Sequence, residues 1–212
     1  MKKKVAVAMS GGVDSSLTAA LLIEQGYDVI GVTMTLSDES REAGGSTAVS
    51  DAKKVADELN IPHYVVNYHK KFKDDVIKYF ISEYAKGRTP NPCVRCNNTV
   101  KFGSLLKDCL ELGADCVATG HYARIEQDEK TGRYLLKKGL DVRKDQSYVL
   151  YTLTQDVLKH FMLPLGNYSK EKTRELAGKM NLPVANKPES QEICFIPNDD
   201  YKAYLKAKHH IF

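Results

Sequence analysis

Apolar and polar residues alternate in blocks along residues 1–120, and the blocks have the lengths of strands and helices. Short runs rich in Val, Ile and Ala are typical of buried strands, and the longer segments between them carry apolar residues at helical spacing. The pattern predicts strands at 5–9, 27–34, 61–66 and 115–119, and helices at 15–25, 47–59, 72–86 and 99–112. This alternation predicts βαβ units, and therefore an α/β fold with a Rossmann-like parallel sheet and helices on both faces.

The pattern changes after residue 121. Two short apolar-polar segments flank a turn that contains Gly132, which predicts a β-hairpin formed by 122–127 and 133–138. Further helices are predicted at 169–180 and 199–209. We therefore expect a catalytic domain over 1–140 and a small, mostly helical and hairpin extension over 141–212. Polar and proline-containing stretches predict loops at 35–47 and 87–98.

The segment between the first strand and the first helix is Ser10-Gly11-Gly12-Val13-Asp14-Ser15. Two adjacent glycines let a backbone approach a ligand closely. The N–H groups of the turn and of the helix start then point at one spot, which suits an anion and most naturally a pyrophosphate. The spacing is not that of a Walker A loop. The six residues resemble the SGGxDS loop of the PP-loop ATP pyrophosphatases, whereas an ordinary glycine-rich turn is the alternative.

Basic residues are concentrated in two segments of the chain. The net charge is +6 over 70–107 and +5 over 130–144, which leaves −7 for the remainder. Such segments suit a polyanion such as nucleic acid, although a solvated helix face explains 70–86 more simply. No apolar run approaches the roughly 18 residues of a membrane span. A secretory signal is not indicated either, so we expect a cytoplasmic location without a membrane partner.

Five cysteines in a chain of this kind favour metal or redox chemistry over structural disulfides. Cys93 and Cys96 form a Cys-x-x-Cys pair in the predicted loop 87–98. The pair is compatible with a redox dithiol, half of a zinc site or part of an iron–sulfur site. Cys109 and Cys116 fall in a predicted helix and a predicted strand, and both are expected in the core. Cys194 lies between two prolines, which predicts a loop.

Six motifs occur in the order in which bacterial tRNA-specific 2-thiouridylases carry them. The motifs are 10–15, 91–97, 101–102, 119–124, 144–148 and 190–195. The chain resembles that family from residue 4 to about residue 200. The resemblance implies ATP-dependent adenylation of the wobble uridine in tRNAs for Lys, Glu and Gln, followed by replacement of its C2 oxygen by sulfur. The β-rich C-terminal domains of that family are absent from these residues.

The resemblance also implies roles for individual residues. The nucleotide would contact Ala8, Met9, Ser10, Gly11, Gly12, Val13, Asp14, Ser15, Met34 and Gly120. The tRNA would contact Asn91, Pro92, Cys93, Lys144, Asp145 and Gln146. Cys96 would be the nucleophile, Cys194 would carry a persulfide, and Asp14 would be a further catalytic residue. ATP needs a cation on its phosphates, so Mg²⁺ is expected. A cysteine desulfurase or a sulfur-relay protein would supply the sulfur.

The sequence leaves the route of the sulfur open. Many relatives have Asp where this chain has Cys93, so Cys93, Cys96 and Cys194 offer three thiols. They suit either a persulfide relay or a [4Fe-4S] cluster with one open iron site.

Two other functions also remain open. A PP-loop enzyme that adenylates another substrate would need neither Cys96 nor Cys194. A non-enzymatic sulfur or Fe–S carrier would bind sulfide without releasing pyrophosphate.

Overall fold

A parallel sheet forms the centre of the computed structural model, which describes residues 2–36, 47–188 and 193–208. The strands are β1 (Lys4–Ala8), β2 (Asp28–Thr35), β3 (His63–Asn67), β4 (Cys116–Ala118), β5 (Ala123–Gln127), β6 (Tyr134–Lys138) and β7 (Phe161–Met162). Five of them form one sheet in the order β3-β2-β1-β4-β7, with every neighbouring pair parallel. The central strand pairs Ala6 with Ile30 on one side and with Val117 on the other. The predicted α/β fold with a Rossmann-like parallel sheet is confirmed.

Helices follow the strands along the chain, and two of them contain π-helical segments. The helices are α1 (Val13–Glu24), α2 (Thr47–Glu58), α3 (His69–Phe72, the π-helical Lys73–Ile77 and Lys78–Ala85), α4 (Pro92–Cys96, the π-helical Asn97–Ser104 and Leu105–Glu111), α5 (Gln155–Leu158), α6 (Lys170–Lys179) and α7 (Tyr201–Ala207). Short 3-10 turns occur at Ser147–Val149, Pro164–Asn167 and Pro197–Asp199. No helix among these residues is long and apolar enough to cross a bilayer.

Alternate residues of the buried strands face opposite layers of helices. Val5 and Val7 of β1 pack in one cluster with residues of α1 and α2. Ala6, which lies between them, packs in another cluster with residues of α3 and α4. Because successive side chains of a strand point to opposite faces, an entirely apolar strand needs cover on both sides. The helices on both faces of the sheet provide it.

Residues beyond 140 contribute to the sheet and to its cover. Phe161 and Met162 form the edge strand β7, which the sequence pattern does not predict because two residues show no periodicity. Helix α6 places Ala177 in a cluster with Leu17 and Leu21 of α1. The hairpin is present as β5 and β6, paired antiparallel. The division into 1–140 and 141–212 stays a prediction.

The predicted loop 87–98 is wrong over its second half. Pro92–Cys96 is the first part of α4 and continues directly into the rest of that helix. The Asn91 side chain caps it by accepting hydrogen bonds from the N–H groups of Cys93 and Val94. Pro92 occupies the first helical position, where a missing N–H costs nothing. Of the other predicted loop, 35–47, residues 37–46 lie outside the described residues.

Candidate active site

The phosphate loop is a compact turn closed by its own serines. The Ser10 N–H donates to Ser15 Oγ over 3.1 Å, and Ser15 Oγ donates to the Gly12 carbonyl over 3.2 Å. Gly12 caps α1 without a side-chain hydrogen bond. The first N–H groups of a helix have no partner within it, and the helix dipole adds partial positive charge there. The turn therefore presents donors suited to a phosphate group.

Two glycines bring neighbouring backbones close to this turn. Gly11 has a φ of 70°, and a Cβ there would lie 2.4 Å from the carbonyl oxygen of Ala48 in α2. A Cβ on Gly120 would lie 2.9 Å from the carbonyl carbon of Asp14. Any larger side chain at either position would push α2, or the segment that follows β4, away from the loop.

A cavity of about 750 Å³ opens at the carboxyl ends of the strands. This volume lies within the range of small-molecule sites, and this edge of a parallel sheet is where such ligands bind. The predicted site residues that line it are Ala8, Met9, Ser10, Asp14, Ser15, Met34, Pro92, Cys93, Cys96, Gly120, Gln146 and Cys194. Those outside its lining are Gly11, Gly12, Val13, Asn91, Lys144 and Asp145. The structure thus brings the phosphate loop and three thiols to one cavity.

The Asp14 carboxylate is engaged by two groups from distant parts of the chain. Its Oδ1 atom lies 2.6 Å from Lys170 Nζ and accepts a hydrogen bond of 2.8 Å from the Tyr122 hydroxyl. The Tyr122 hydroxyl also lies 3.0 Å from Thr173 Oγ1. These contacts, both made to Oδ1, hold the Asp14 side chain in place beside the loop. Its catalytic role stays a prediction.

Three of the five cysteines face the cavity and two are core residues. Cys96 is buried, while Cys93 and Cys194 are exposed. Cys109 and Cys116 are buried, as predicted, and burial raises the pKa of both thiols, for Cys109 to about 12. Thiols of this kind are inert packing groups.

The surrounding protein favours the protonated form of two cavity thiols, those of Cys96 and Cys194. Burial raises the pKa of the Cys96 thiol. Cys194 is exposed as a whole residue, but desolvation of its thiol by the surrounding protein atoms raises its pKa to about 11. The Lys101 ammonium ion acts against burial at both thiols by lowering their pKa. Lys101 also lines the cavity. It is therefore the cation positioned to stabilise a sulfur anion there.

His121 is a neutral group in the same cavity. Burial, with the charge of Lys101 acting in the same direction, lowers the pKa of His121 to about 3. Its Nδ1 atom lies 2.7 Å from Thr119 Oγ1. The imidazole therefore carries no charge near neutral pH and offers a hydrogen-bonding group rather than a cation.

Cys194 is held by the residue that follows it. Phe195 is buried, and its ring contacts Phe72, Phe80 and Tyr204 in edge-on geometry, with centroids 5.6, 5.4 and 5.7 Å away. Such ring pairs stabilise packing beyond the buried area alone. The aromatic cluster therefore fixes the backbone of the Cys194 turn beside α3.

A family model described as the tRNA methyl transferase HUP domain matches residues 3–198. The chain belongs to this family. The match extends from the first strand through the Cys194 turn, so it includes both the phosphate loop and the three cavity thiols.

Curated proteins with high identity carry one function in their names. The tRNA-specific 2-thiouridylase MnmA 1 of Caldanaerobacter subterraneus subsp. tengcongensis is 59% identical over 98% of this chain. The tRNA-specific 2-thiouridylase MnmA of Clostridioides difficile is 54% identical over 97% of this chain. The chain spans 59% of the length of each of these relatives.

Solved structures of low identity share the fold. The U34-tRNA thiolase NcsA from Methanococcus maripaludis with its [4Fe-4S] cluster matches with a TM-score of 0.58 and 19% identity, over 99% of this chain and 66% of that one. A 4-thiouridine synthetase–RNA complex with bound ATP matches with a TM-score of 0.54 and 18% identity, over 97% and 50%. At these identities the likeness shows the fold alone.

Segment 144–146 of this HUP domain, which is predicted to contact tRNA, is held in place by hydrogen bonds of its own side chains. Asp145 Oδ1 accepts hydrogen bonds from the N–H groups of Gly139 and Ser147. Burial acts to raise the pKa of Asp145, but these hydrogen bonds outweigh it and leave the pKa below its usual value. Gln146 Oε1 accepts from the N–H of Tyr122 over 3.0 Å. Both side chains shape the turn, and direct contact with tRNA stays a prediction.

The cavity residues fit a magnesium ion bound through a nucleotide. Mg²⁺ is usually held by one or two carboxylates together with phosphate oxygens. Asp14 is the one carboxylate among the described residues that lines the cavity. It would hold the ion next to phosphates on the loop.

Iron–sulfur ligation stays a prediction. Cys93, Cys96 and Cys194 supply the thiol chemistry of such a cluster from one cavity. Within the described part of the chain, no group of three or more His, Cys, Asp or Glu side chains is arranged to hold a metal ion.

Sequence reasoning missed the lysines that hold the phosphate loop in this HUP domain. Lys170 contacts Asp14, and Lys187 Nζ lies 3.1 Å from the Gly11 carbonyl oxygen and 2.7 Å from Asp51 Oδ2. Lys170 follows the capping Ser169 at the start of a helix, where the dipole disfavours a cation, but the sequence carries no signal for its partner Asp14.

Proposed function

We propose that this chain is the catalytic part of an ATP-dependent tRNA-uridine 2-sulfurtransferase. Its product is 2-thiouridine at the wobble position of tRNAs for Lys, Glu and Gln. The observation that carries the proposal is one cavity lined both by a phosphate loop and by Cys96 and Cys194. Relatives named tRNA-specific 2-thiouridylase, at 59% and 54% identity, support it.

The first half of the reaction activates the uridine. ATP lies with its phosphates on the loop, where the N–H groups at the start of α1 bind them. The C2 oxygen of the uridine attacks the α-phosphorus, the bond from the α-phosphorus to the bridging oxygen breaks, and pyrophosphate leaves. The C2 oxygen is then part of AMP, which is a good leaving group. Mg²⁺ supplies charge neutralisation on the phosphates.

The second half delivers sulfur through two cysteines. A persulfide on Cys194 attacks C2, so a sulfur–carbon bond forms, the carbon–oxygen bond breaks and AMP leaves. The Cys96 thiolate then attacks the Cys194 sulfur. A disulfide forms between the two cysteines, and the sulfur–sulfur bond to the substrate breaks, which leaves 2-thiouridine. A dithiol reductant restores both thiols for the next turnover.

Several partners follow from this chemistry. The outer sulfur of the persulfide comes from a cysteine desulfurase or a sulfur-relay protein. The tRNA contacts the start of α4, at Asn91, Pro92 and Cys93, and the segment 144–146. The wobble uridine leaves the anticodon stack to reach the cavity. A tRNA substrate and thiol chemistry both fit a cytoplasmic location.

The test is a reconstituted reaction with matched cysteine variants. Anaerobically purified protein receives unmodified tRNA, Mg-ATP and a persulfide donor, and the digested tRNA is analysed by mass for 2-thiouridine. We expect product with the wild type and none with Cys96→Ser or Cys194→Ser. Cys109→Ala is the control, because that thiol is buried away from the cavity and its loss leaves the product unchanged.

Other outcomes decide between the remaining functions. No 2-thiouridine, together with pyrophosphate release that requires an added acceptor other than tRNA, identifies an enzyme that adenylates another substrate. Bound iron and sulfide with no pyrophosphate release identifies a carrier. Product formed in the absence of either cysteine overturns the cysteine roles.

A further inference from the structure

Lys170 is a buried cation that connects the first helix of the chain to the extension. Its ammonium ion lies 2.6 Å from Asp14 Oδ1, although the two residues are 156 positions apart. The Lys170 residue is only 6% exposed. Lysine is almost never buried unless it is paired, and here it opens α6, where the helix dipole repels a cation. Both unfavourable features are offset by the contact with Asp14.

The backbone of the same residue is fixed by a second carboxylate, that of the buried Asp141. The Lys170 N–H donates to Asp141 Oδ2 over 3.1 Å, and Asp141 Oδ1 accepts from the Arg143 N–H over 3.1 Å. The Arg143 side chain pairs with Asp141 and, at 2.6 Å, with Glu171 of α6. Segment 141–147, which begins within the basic segment 130–144, is therefore linked through Lys170 to the phosphate loop.

A parallel link runs through Tyr122. The Tyr122 N–H donates to Gln146 Oε1 over 3.0 Å, and the Gln146 N–H donates to the Tyr122 carbonyl over 2.8 Å. The Tyr122 hydroxyl donates to Asp14 Oδ1 over 2.8 Å. Two chains of contacts thus start in segment 141–147 and meet at one oxygen of Asp14, where Lys170 Nζ also lies 5.6 Å from the centre of the Tyr122 ring.

We propose that Lys170 is a positioning residue that couples the binding of tRNA at segment 141–147 to the geometry of the phosphate loop. This inference rests on the proposed function for the identity of the RNA. When tRNA holds the segment in place, Asp141 and Gln146 fix Lys170 and Tyr122, which in turn fix Asp14 at the start of α1. Because coupling between two sites is reciprocal, ATP on the loop also strengthens the binding of tRNA.

The test measures the coupling itself. The dissociation constant of α,β-methylene ATP with Mg²⁺, which is not cleaved, is determined with and without saturating unmodified tRNA. We expect tRNA to tighten nucleotide binding by about tenfold in the wild type, a typical coupling. Lys170→Met keeps the apolar stem and removes the charge, and it is expected to reduce that factor to about two or less. Lys170→Arg keeps the charge and restores part of the coupling.

Matched variants separate coupling from folding. Lys172→Met removes an exposed lysine of the same helix, which pairs with Glu175, and leaves the factor at its wild-type value. Tyr122→Phe deletes only the hydroxyl group that contacts Asp14. Like Lys170→Met, it should reduce the factor by which tRNA tightens nucleotide binding. This second variant keeps the inference testable if Lys170→Met does not fold.

The possible results distinguish this inference from the proposed function. The inference is overturned if the coupling factor is unchanged in both Lys170→Met and Tyr122→Phe. It is also overturned if tRNA does not change the nucleotide affinity of the wild type while 2-thiouridine is still formed. Intact coupling in a protein that forms no 2-thiouridine overturns the proposed sulfur transfer and leaves the inference standing.

Discussion

Burial sets the chemistry of the single residues that line the cavity. The thiols of Cys96 and Cys194 have raised pKa values, and His121 has a lowered one, because each environment disfavours charge. Lys101 provides the opposing positive charge at both thiols. Because the His121 imidazole is neutral, anions in the cavity would be bound by Lys101 and by the phosphate loop.

The neutral state of His121 gives a prediction for stability against pH. Its folded pKa of about 3 lies below the ordinary value of 6.5. The stability that it contributes is therefore present above pH 6.5 and is lost as the pH falls towards 3, because the unfolded chain binds the proton more readily. His121→Asn retains a polar group near Thr119 and does not titrate. Urea unfolding at about pH 7 and about pH 4.5 should show a smaller loss of stability in the variant. Equal losses in both proteins would contradict the assignment.

Helix α4 organises two of the three cavity thiols. It begins at Pro92, one residue after the capping Asn91, so Cys93 and Cys96 lie one turn apart. The next segment, Asn97–Ser104, is π-helical. In this winding, residues five apart lie nearer to the same face of the helix than in an α-helix, where about 140° would separate them. Lys101, five positions after Cys96, is thereby brought to the cavity that the thiol lines.

The cap of α4 gives a prediction that separates its structural role from contact with tRNA. Asn91→Ala removes the acceptor for the N–H groups of Cys93 and Val94, and should lower the free energy of unfolding by about 1 kcal/mol. Hydrogen exchange at those two amides should become faster. Asn91→Ser keeps a capping oxygen and removes the amide group without adding charge, so it should retain most of the stability. If Asn91→Ser lowers tRNA affinity without loss of stability, the Asn91 amide also contacts RNA.

At the scale of the whole molecule, the extension completes the site. Phe161 adds to the edge of the sheet, Lys170 reaches the phosphate loop, and Phe195 anchors the Cys194 turn in the core beside α3. The cavity is therefore formed by segments from both ends of the described chain. The proposed sulfur transfer requires this arrangement, because an activated uridine would have to meet both a nucleotide and a thiol.

The Phe195 anchor gives a prediction at this scale. Phe195→Ala leaves a cavity among Phe72, Phe80 and Tyr204, and should cost about 3–5 kcal/mol of unfolding free energy. It should also accelerate alkylation of Cys194 at fixed pH, since the turn loses its attachment. Phe161→Ala is the matched control: it removes a buried ring at the sheet edge, with a comparable cost in stability and an unchanged rate at Cys194. Equal acceleration in both variants would show general loosening of the fold.

Local patterns in the sequence determined the elements and the chemistry of the loop. The apolar runs and helical spacings between residues 4 and 119 predict four strands of the sheet, since burial on both faces demands continuous apolar strands. The phosphate loop is encoded in six consecutive residues. The burial of Cys109 and Cys116 follows from their positions within apolar elements. The start of α4 was also readable, because Asn-Pro is a capping pair, but two prolines close together favoured a loop instead.

Tertiary structure alone decided which of these residues meet. Strand β7 has two residues, too few to carry a period, and exists because β4 offers an edge to pair with. The contact between Asp14 and Lys170 joins residues that no local pattern relates. The same holds for Cys96 and Cys194, which line one cavity only because Phe195 packs into the core formed by α3 and α7. The periodicity of apolar residues shows which face of a helix or strand is buried. The element that packs against that face is determined by the packing of the entire chain.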